Sequence, residues 1–149
     1  MQIRNASAFD IPIILEMLKA YRAETPLNFF NKADDAKYVT ELLTELMAGK
    51  GLVLLAVDDL TICGMLIAGI APSIWSPKHL LMKEFAYWVN KEYRFSSAGL
   101  RLLSTYKAYG EALIAEGRIE HFLISKMSNS PDLKFDKYGF QKLEEFWVI

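Results

Sequence analysis

Two features of the chain combine residue types that support chemistry. The first is a run of small residues behind an arginine, Arg94-Phe95-Ser96-Ser97-Ala98-Gly99-Leu100. It follows the apolar, aromatic-rich stretch Leu80 to Val89 and opens a helical pattern at Ala98-Gly99. The first turn of a helix presents unpaired N–H groups and a partial positive charge, so it can hold a phosphate. Ser96, Ser97, Ala98 and Gly99 allow close approach to the backbone, and Arg94 adds a cationic fork. By residue type alone the stretch reads as well as a plain strand-to-helix turn with a serine cap. It is neither a Walker nor a Rossmann motif. The second feature is Glu84, set among Leu80, Leu81, Met82 and Phe85. A carboxylate in such a strand is partly desolvated, which raises its pKa toward the range of a general base. The alternative is that Glu84 pairs with Lys83, Arg94 or another cation, or faces solvent.

Other candidates carry less. His79 falls in a loop near the same region and has the chemistry of a proton relay. His121 sits in a strand and reads as structural. Cys63 reads as a small core residue, because no histidine stands near it in a nucleophile arrangement. Phe29, Phe30, Trp75, Tyr87 and Trp88 are either pocket lining or core.

The elements that must position these groups follow from periodicity. Gln2 to Asn5 reads as a first strand. Asp10 reads as the N-cap of a helix to about Ala23, with Pro12 in its first turn and Ile11, Ile14, Leu15, Leu18 and Tyr21 on one face. A second helix starts at Asp34 or Asp35 and stops at Gly49 and Gly51. Leu52 to Val57 and Leu60 to Ile70 form a hairpin around Asp58-Asp59. Ala71 to Lys78 is expected as a loop, Leu80 to Val89 as a strand, and Gly99 to Gly117 as the clearest helix. Ile119 to Ser125 is a further strand, Asp132 to Tyr138 a short helix closed by Gly139, and Phe140 to Ile149 a last strand. The order indicates one mixed α/β domain over residues 1–149, with a central sheet flanked by helices.

Composition removes several classes of function. The chain has 149 residues, a net charge of -1 and 52% apolar residues, so it can bury a core and has no overall positive field for nucleic acid. One cysteine cannot make an internal disulfide, and one Cys with two His does not suit a structural zinc site. No metal and no membrane partner is expected. The longest apolar stretch, Cys63 to Ile74, is interrupted by Gly64, Gly69, Pro72 and Ser73 and is shorter than the ~20 residues of a spanning helix. The expected setting is cytoplasmic.

The stretch from Val89 to Leu103 also resembles the core motif of the GNAT family of N-acetyltransferases. Arg94, Gly99, Leu102 and Leu103 match that motif, and Ser97 stands where the family usually has glycine. Ile3-Arg4 before the first helix, Val57 to Gly64, Ser128-Asn129 and Phe135-Asp136-Lys137-Tyr138-Gly139-Phe140 resemble further family segments in the same order. The strand Glu84 to Val89 looks most like a branch common in phage genomes. The resemblance covers almost the whole chain.

The resemblance implies a GNAT-like fold and acetyl-CoA as cosubstrate, held between splayed parallel strands Leu80–Val89 and Ile119–Ser125. Its pyrophosphate would sit on N–H groups from Phe95 to Leu100, with Arg94 and Asn129 in the cofactor set. The backbone of Trp88 and Val89 would pair with the pantetheine arm. Glu84 would be the general base for direct attack by a primary amine, on a small molecule or a protein. The position of the family's frequent tyrosine acid is Phe135, and Tyr138 is expected to act in packing. Many relatives are dimers, so a homodimer is a further expectation. Ser97 and Phe135 leave a second reading open, an inactive CoA-binding or structural protein. A third is a regulatory domain without a CoA site. The loops Thr25–Lys32 and Ala71–His79 are expected to carry acceptor specificity.

Overall fold

Local chemistry at the N-terminus sets the entry into the fold. Residues Gln2–Asn5 form β1, and a 3-10 turn, Ala8–Asp10, leads into α1, Ile11–Glu24. Asp10 is not the side-chain cap of α1 that the sequence suggests. Its carboxylate faces back, accepting the Ser7 N–H at 2.7 Å and two Arg4 N–H bonds at 2.8 Å. That bidentate pair outcompetes the helix N–H groups for the carboxylate, and it holds the Asp10 carboxyl well below the usual range.

The computed structural model describes all 149 residues. After α1 come α2, Ala36–Glu45, capped by Asp35 accepting the Tyr38 N–H at 3.0 Å. A wide turn, Leu46–Lys50, then releases the chain at Gly49 with φ 114°, a value few side-chain-bearing residues adopt. The sheet continues with β2, Gly51–Asp58, β3, Thr61–Ser73, and β4, Ser76–Val89. The helix α3, Ala98–Ala115, precedes β5, His121–Leu123. The sheet order is β1-β2-β3-β4-β5, antiparallel throughout except for the parallel β4–β5 pair. This is a single mixed sheet flanked by helices.

Two apolar cores lie on the two faces of the sheet. One gathers Leu54, Leu66, Met82, Leu102 and Tyr106 under α3, and the other gathers Ile14, Leu43, Leu55, Met65, Ile67 and Trp88 under α1 and α2. The pairing of β3 with β4 contains one extra residue. Ala68 stands opposite Glu84 while Ile67 stands opposite Ala86, so Phe85 is bulged. The bulge reverses the alternation of β4. Met82 faces α3 before it, whereas Ala86 and Trp88 face α1 and α2 after it. The Phe85 ring covers Gly69, where a Cβ would lie 2.5 Å from Cζ.

Several sequence expectations are corrected. The Ala71–Lys78 loop shrinks to a hairpin tip at Ile74-Trp75, because β3 runs to Ser73 and β4 starts at Ser76. A register shift at Pro72/Ser73 accommodates the prolines there. His79 is therefore in a strand, with Nδ1 2.8 Å from the Ser73 hydroxyl. The strand Ile119–Ser125 contracts to β5, and the short helix to a 3-10 turn, Phe135–Tyr138. Phe140 to Ile149 forms no strand. The three-residue edge of β5 gives it little ladder to join, and side-chain packing replaces pairing. Phe140 stacks edge-on against Phe122 at 5.6 Å, and Lys83 Nζ lies 4.7 Å over the Phe146 ring.

Close packing of α3 on β5 yields a stability test. A Cβ on Gly110 would lie 2.4 Å from the Phe122 ring. Glycine to alanine inside a helix ordinarily stabilises by about 0.5–1 kcal/mol. Here Gly110→Ala is expected to destabilise by about 1–3 kcal/mol through overpacking, read as a lower urea midpoint.

Candidate active site

The strands β4 and β5 pair only at Leu81–His121, Met82–Phe122 and Lys83–Leu123, and then separate. Beyond Lys83 the β5-facing edge of β4 has no strand partner. Glu84 stands where the separation begins. It is 4% exposed, and its Oε2 accepts the Ser125 N–H at 3.1 Å and the Ser125 hydroxyl at 2.8 Å. A carboxylate thus takes the place of the next ladder bond. On the α3 side, Tyr106 donates to the Leu123 carbonyl at 2.6 Å. The alternative pairing of Glu84 with Lys83 or Arg94 does not occur, since Lys83 covers Phe146 and Arg94 is bound elsewhere.

The second oxygen of Glu84 has no partner in the protein, yet no buried side-chain oxygen is left unsatisfied. Oε1 therefore borders accessible space. Burial pushes the Glu84 carboxyl up, and the Ser125 bonds oppose this only in part. Burial and then the Glu84 charge also hold the nearby phenols neutral, Tyr21 being pushed up to about 12. Tyr87 and Tyr106 shift the same way, and Tyr138 lies within electrostatic reach of Tyr87.

The other end of the opening is the start of α3. The N–H groups of Phe95, Ser97, Gly99 and Leu100 have no acceptor within the protein. Ala98 N–H is satisfied by the Ser96 hydroxyl at 3.2 Å. Ser97 adopts φ -79° and ψ 1°, which any residue tolerates, and its hydroxyl accepts from Arg101 Nε at 3.0 Å. The position therefore does not demand glycine. Gly99 is small for a different reason from the one its sequence position suggests. A Cβ there would lie 3.1 Å from the Tyr87 hydroxyl, which donates to the Gly99 carbonyl at 2.7 Å. Glycine serves helix-to-strand packing rather than an open ligand face. Phe95 is fully exposed, Leu100 half-exposed, and Ala98 buried.

Arg94 is close to the free N–H groups but already engaged. Its Nε donates to the Val89 carbonyl and its Nη2 to Glu24 Oε2, each at 3.0 Å, and the guanidinium lies 4.6 Å over the Trp88 ring. Trp88 is buried and donates to Asn90. Asn129 donates to the Glu24 carbonyl at 2.7 Å. The structure thus brings Glu84, Trp88, Val89, Arg94 and the helix start to one opening. Sequence reasoning missed Ser125, Tyr21, Tyr106 and Glu24. Only Glu24 carried a signal, as an acid at the unfavourable end of a helix. Cys63 is buried in the core, Trp75 is at the exposed hairpin tip, and Phe29 stacks on Phe30 at 4.6 Å. No group of three metal-ligating side chains occurs, and no helix is long and apolar enough to cross a membrane.

No family model matches the chain, and no curated protein matches it. Solved structures do match. A predicted acetyltransferase from Clostridium acetobutylicum with acetyl-CoA superposes with TM-score 0.75 at 14% identity, covering 99% of this chain and 94% of that one. An aminoglycoside acetyltransferase from an uncultured soil metagenomic sample, in complex with trehalose, gives 0.69 at 16% identity, covering 99% and 95%. A transcriptional regulator from Bacillus halodurans gives 0.71 at 17% identity, covering 99% and 97%. The chain shares the fold of these structures over essentially its full length, a single mixed five-stranded sheet flanked by helices.

The buried carboxylate predicts a pH effect on stability. A raised folded pKa means that the native state keeps a proton which the unfolded chain releases near 4.5. Stability is therefore lost as pH rises from that value through the folded pKa. The Glu84→Gln protein lacks this loss, so its melting temperature is expected to gain on wild type across that interval. Parallel melting curves against pH would show that Glu84 ionises without cost.

Proposed function

We propose that the chain is an acetyl-CoA-dependent N-acetyltransferase acting on a primary amine, with Glu84 as general base. One observation carries this reading. The same opening that exposes an unpaired edge of β4 begins at a buried carboxylate and ends at four N–H donors without acceptors. That donor set fits a diphosphate, because Gly99 and Leu100 N–H lie in the first turn of α3, Phe95 and Ser97 N–H lie just before it, and none needs a side chain to bind an anion. Acetyl-CoA supplies an activated acetyl thioester. The N–H groups of Phe95, Ser97, Gly99 and Leu100 would hold its diphosphate, and the free edge of β4 would orient its pantetheine arm. Val89 takes part with its carbonyl already bonded to Arg94, and a carbonyl oxygen has a second lone pair.

An amine must lose a proton to attack and form the amide. Glu84 takes that proton at Oε1, while Ser125 holds Oε2 and keeps the carboxylate in place. Its raised pKa makes it a stronger base than an exposed glutamate, closer to the range where base catalysis is effective. Burial of Glu84, with Tyr21 and Tyr106 within electrostatic reach of it, restricts water around the carboxylate. The departing CoA thiolate has an ordinary thiol pKa of about 8.5 and needs little acid assistance, which agrees with phenylalanine at position 135. The departure at Ser97 does not disqualify the site, because its hydroxyl turns to Arg101 and its N–H remains free.

The experiment has two stages. Acetyl-CoA and CoA are expected to raise the melting temperature by mass action, and a panel of primary amines is then screened for CoA release. No shift with either ligand would remove the cosubstrate. A shift without turnover on any amine would support a binding protein instead. In the active case, Glu84→Gln is expected to lower kcat/KM by about 10²-fold or more and to leave acetyl-CoA affinity unchanged. Wild-type turnover by the Gln protein across the pH range would clear Glu84 of the role.

A further inference from the structure

Glu24 is the last residue of α1, where the negative end of the helix dipole disfavours a carboxylate. Three contacts hold it there. Its Oε1 lies 3.0 Å from Lys91 Nζ, its Oε2 3.0 Å from Arg94 Nη2, and its backbone carbonyl accepts from Asn129 at 2.7 Å. Lys91 and Arg94 belong to the turn that continues β4, and Asn129 belongs to the segment leaving β5. One residue therefore ties α1 to both arms of the opening. The Glu24 and Arg94 side chains are 34% and 38% exposed, so their pairing is open to exchange with other ions.

These contacts place a negative charge on Lys91 and Arg94 in the turn that leads to α3, while Arg101 holds the Ser97 hydroxyl at the helix start. Arg94 is also tied to the Val89 carbonyl and the Trp88 face, so its position does not depend on Glu24 alone. A diphosphate approaching the free N–H groups meets one net positive charge from Lys91, Arg94 and Glu24. It would meet two if Glu24 were neutral. The chain after Glu24 is held in an uncommon conformation, with φ 62° at Leu27 and 52° at Asn28. The Glu24 carbonyl bond to Asn129 anchors this segment.

We propose that Glu24 gates the anion site, its carboxylate occupying Arg94 and Lys91 in competition with the incoming diphosphate. This rests on the reading of the α3 start as the diphosphate site. Glu24 acts through Arg94 and Lys91, so it is a positioning residue and not a catalytic one. It lowers affinity for any polyphosphate and keeps the two cations paired between turnovers.

Calorimetric titration of the full chain with CoA and, separately, with inorganic pyrophosphate tests the gate. Glu24→Gln is expected to tighten both about three- to tenfold, with the gain shrinking as salt rises. Glu24→Asp keeps the charge and is expected to stay near wild type. In a protein already carrying Lys91→Gln and Arg94→Gln, the Glu24→Gln change is expected to add nothing. A purely structural Glu24 would give a lower melting temperature with unchanged or weaker binding, and that result overturns the gate. If CoA binds neither wild type nor variant, the cosubstrate reading falls and pyrophosphate alone decides. Tighter pyrophosphate binding in the Gln protein then upholds the gate, and unchanged, weaker or absent binding overturns it.

Discussion

Where β4 and β5 part beyond Lys83 and Leu123, the β5-side backbone groups lose their ladder partners. Such groups must be satisfied from elsewhere or the separation is too costly to persist. Two side chains meet the demand. Glu84 reaches across to the Ser125 N–H, and Tyr106 reaches from α3 to the Leu123 carbonyl. On the β5 side the opening is held by polar side chains, while the facing edge of β4 stays unpaired. Glu84, which holds the opening, is also the group proposed to take a proton, so a single carboxylate would serve both structure and chemistry.

The bulge at Phe85 determines which side chains share a face with that carboxylate. Without it, strict alternation would place Met82, Glu84, Ala86 and Trp88 together under α3. With it, Ala86 and Trp88 turn toward α1 and α2, and Tyr87 turns toward α3 to bond the Gly99 carbonyl. One inserted residue thus gives Glu84 neighbours from both layers, Tyr21 on one side and Tyr106 on the other. Burial from both directions, rather than any single contact, raises its pKa.

The start of α3 shows a different balance. Small residues there do not all serve one purpose. Ser96 satisfies Ala98, Ser97 binds Arg101, and Gly99 fits against Tyr87. What remains available is backbone, not side chain. Cationic charge is supplied by Arg94, Lys91 and Arg101, and Glu24 offsets part of it. Any affinity for an anion at this place would be a difference between opposing charges, and so adjustable by single substitutions.

Much of the architecture was legible from periodicity. The helices α1, α2 and α3 and the strands β1 to β4 follow from apolar spacing, and the helix start at Ala98-Gly99 follows from residue size. The burial of Glu84 was legible from its apolar neighbours Leu80, Leu81, Met82 and Phe85, whereas the bulge that follows it was not. The partner of Glu84 was not. Ser125 lies 41 residues away, and the two meet only because β5 docks parallel to β4. The ties of Arg94 and Asn129 to Glu24 span 70 and 105 residues, distances at which spacing rules say nothing. Nor did apolar content reveal that Phe140–Ile149 stays unpaired, since strand formation requires an edge long enough to receive it. Local pattern determines which segments are helix or strand and which faces are apolar. Only the tertiary structure decides where the sheet breaks, because that depends on which distant groups arrive to satisfy the freed backbone.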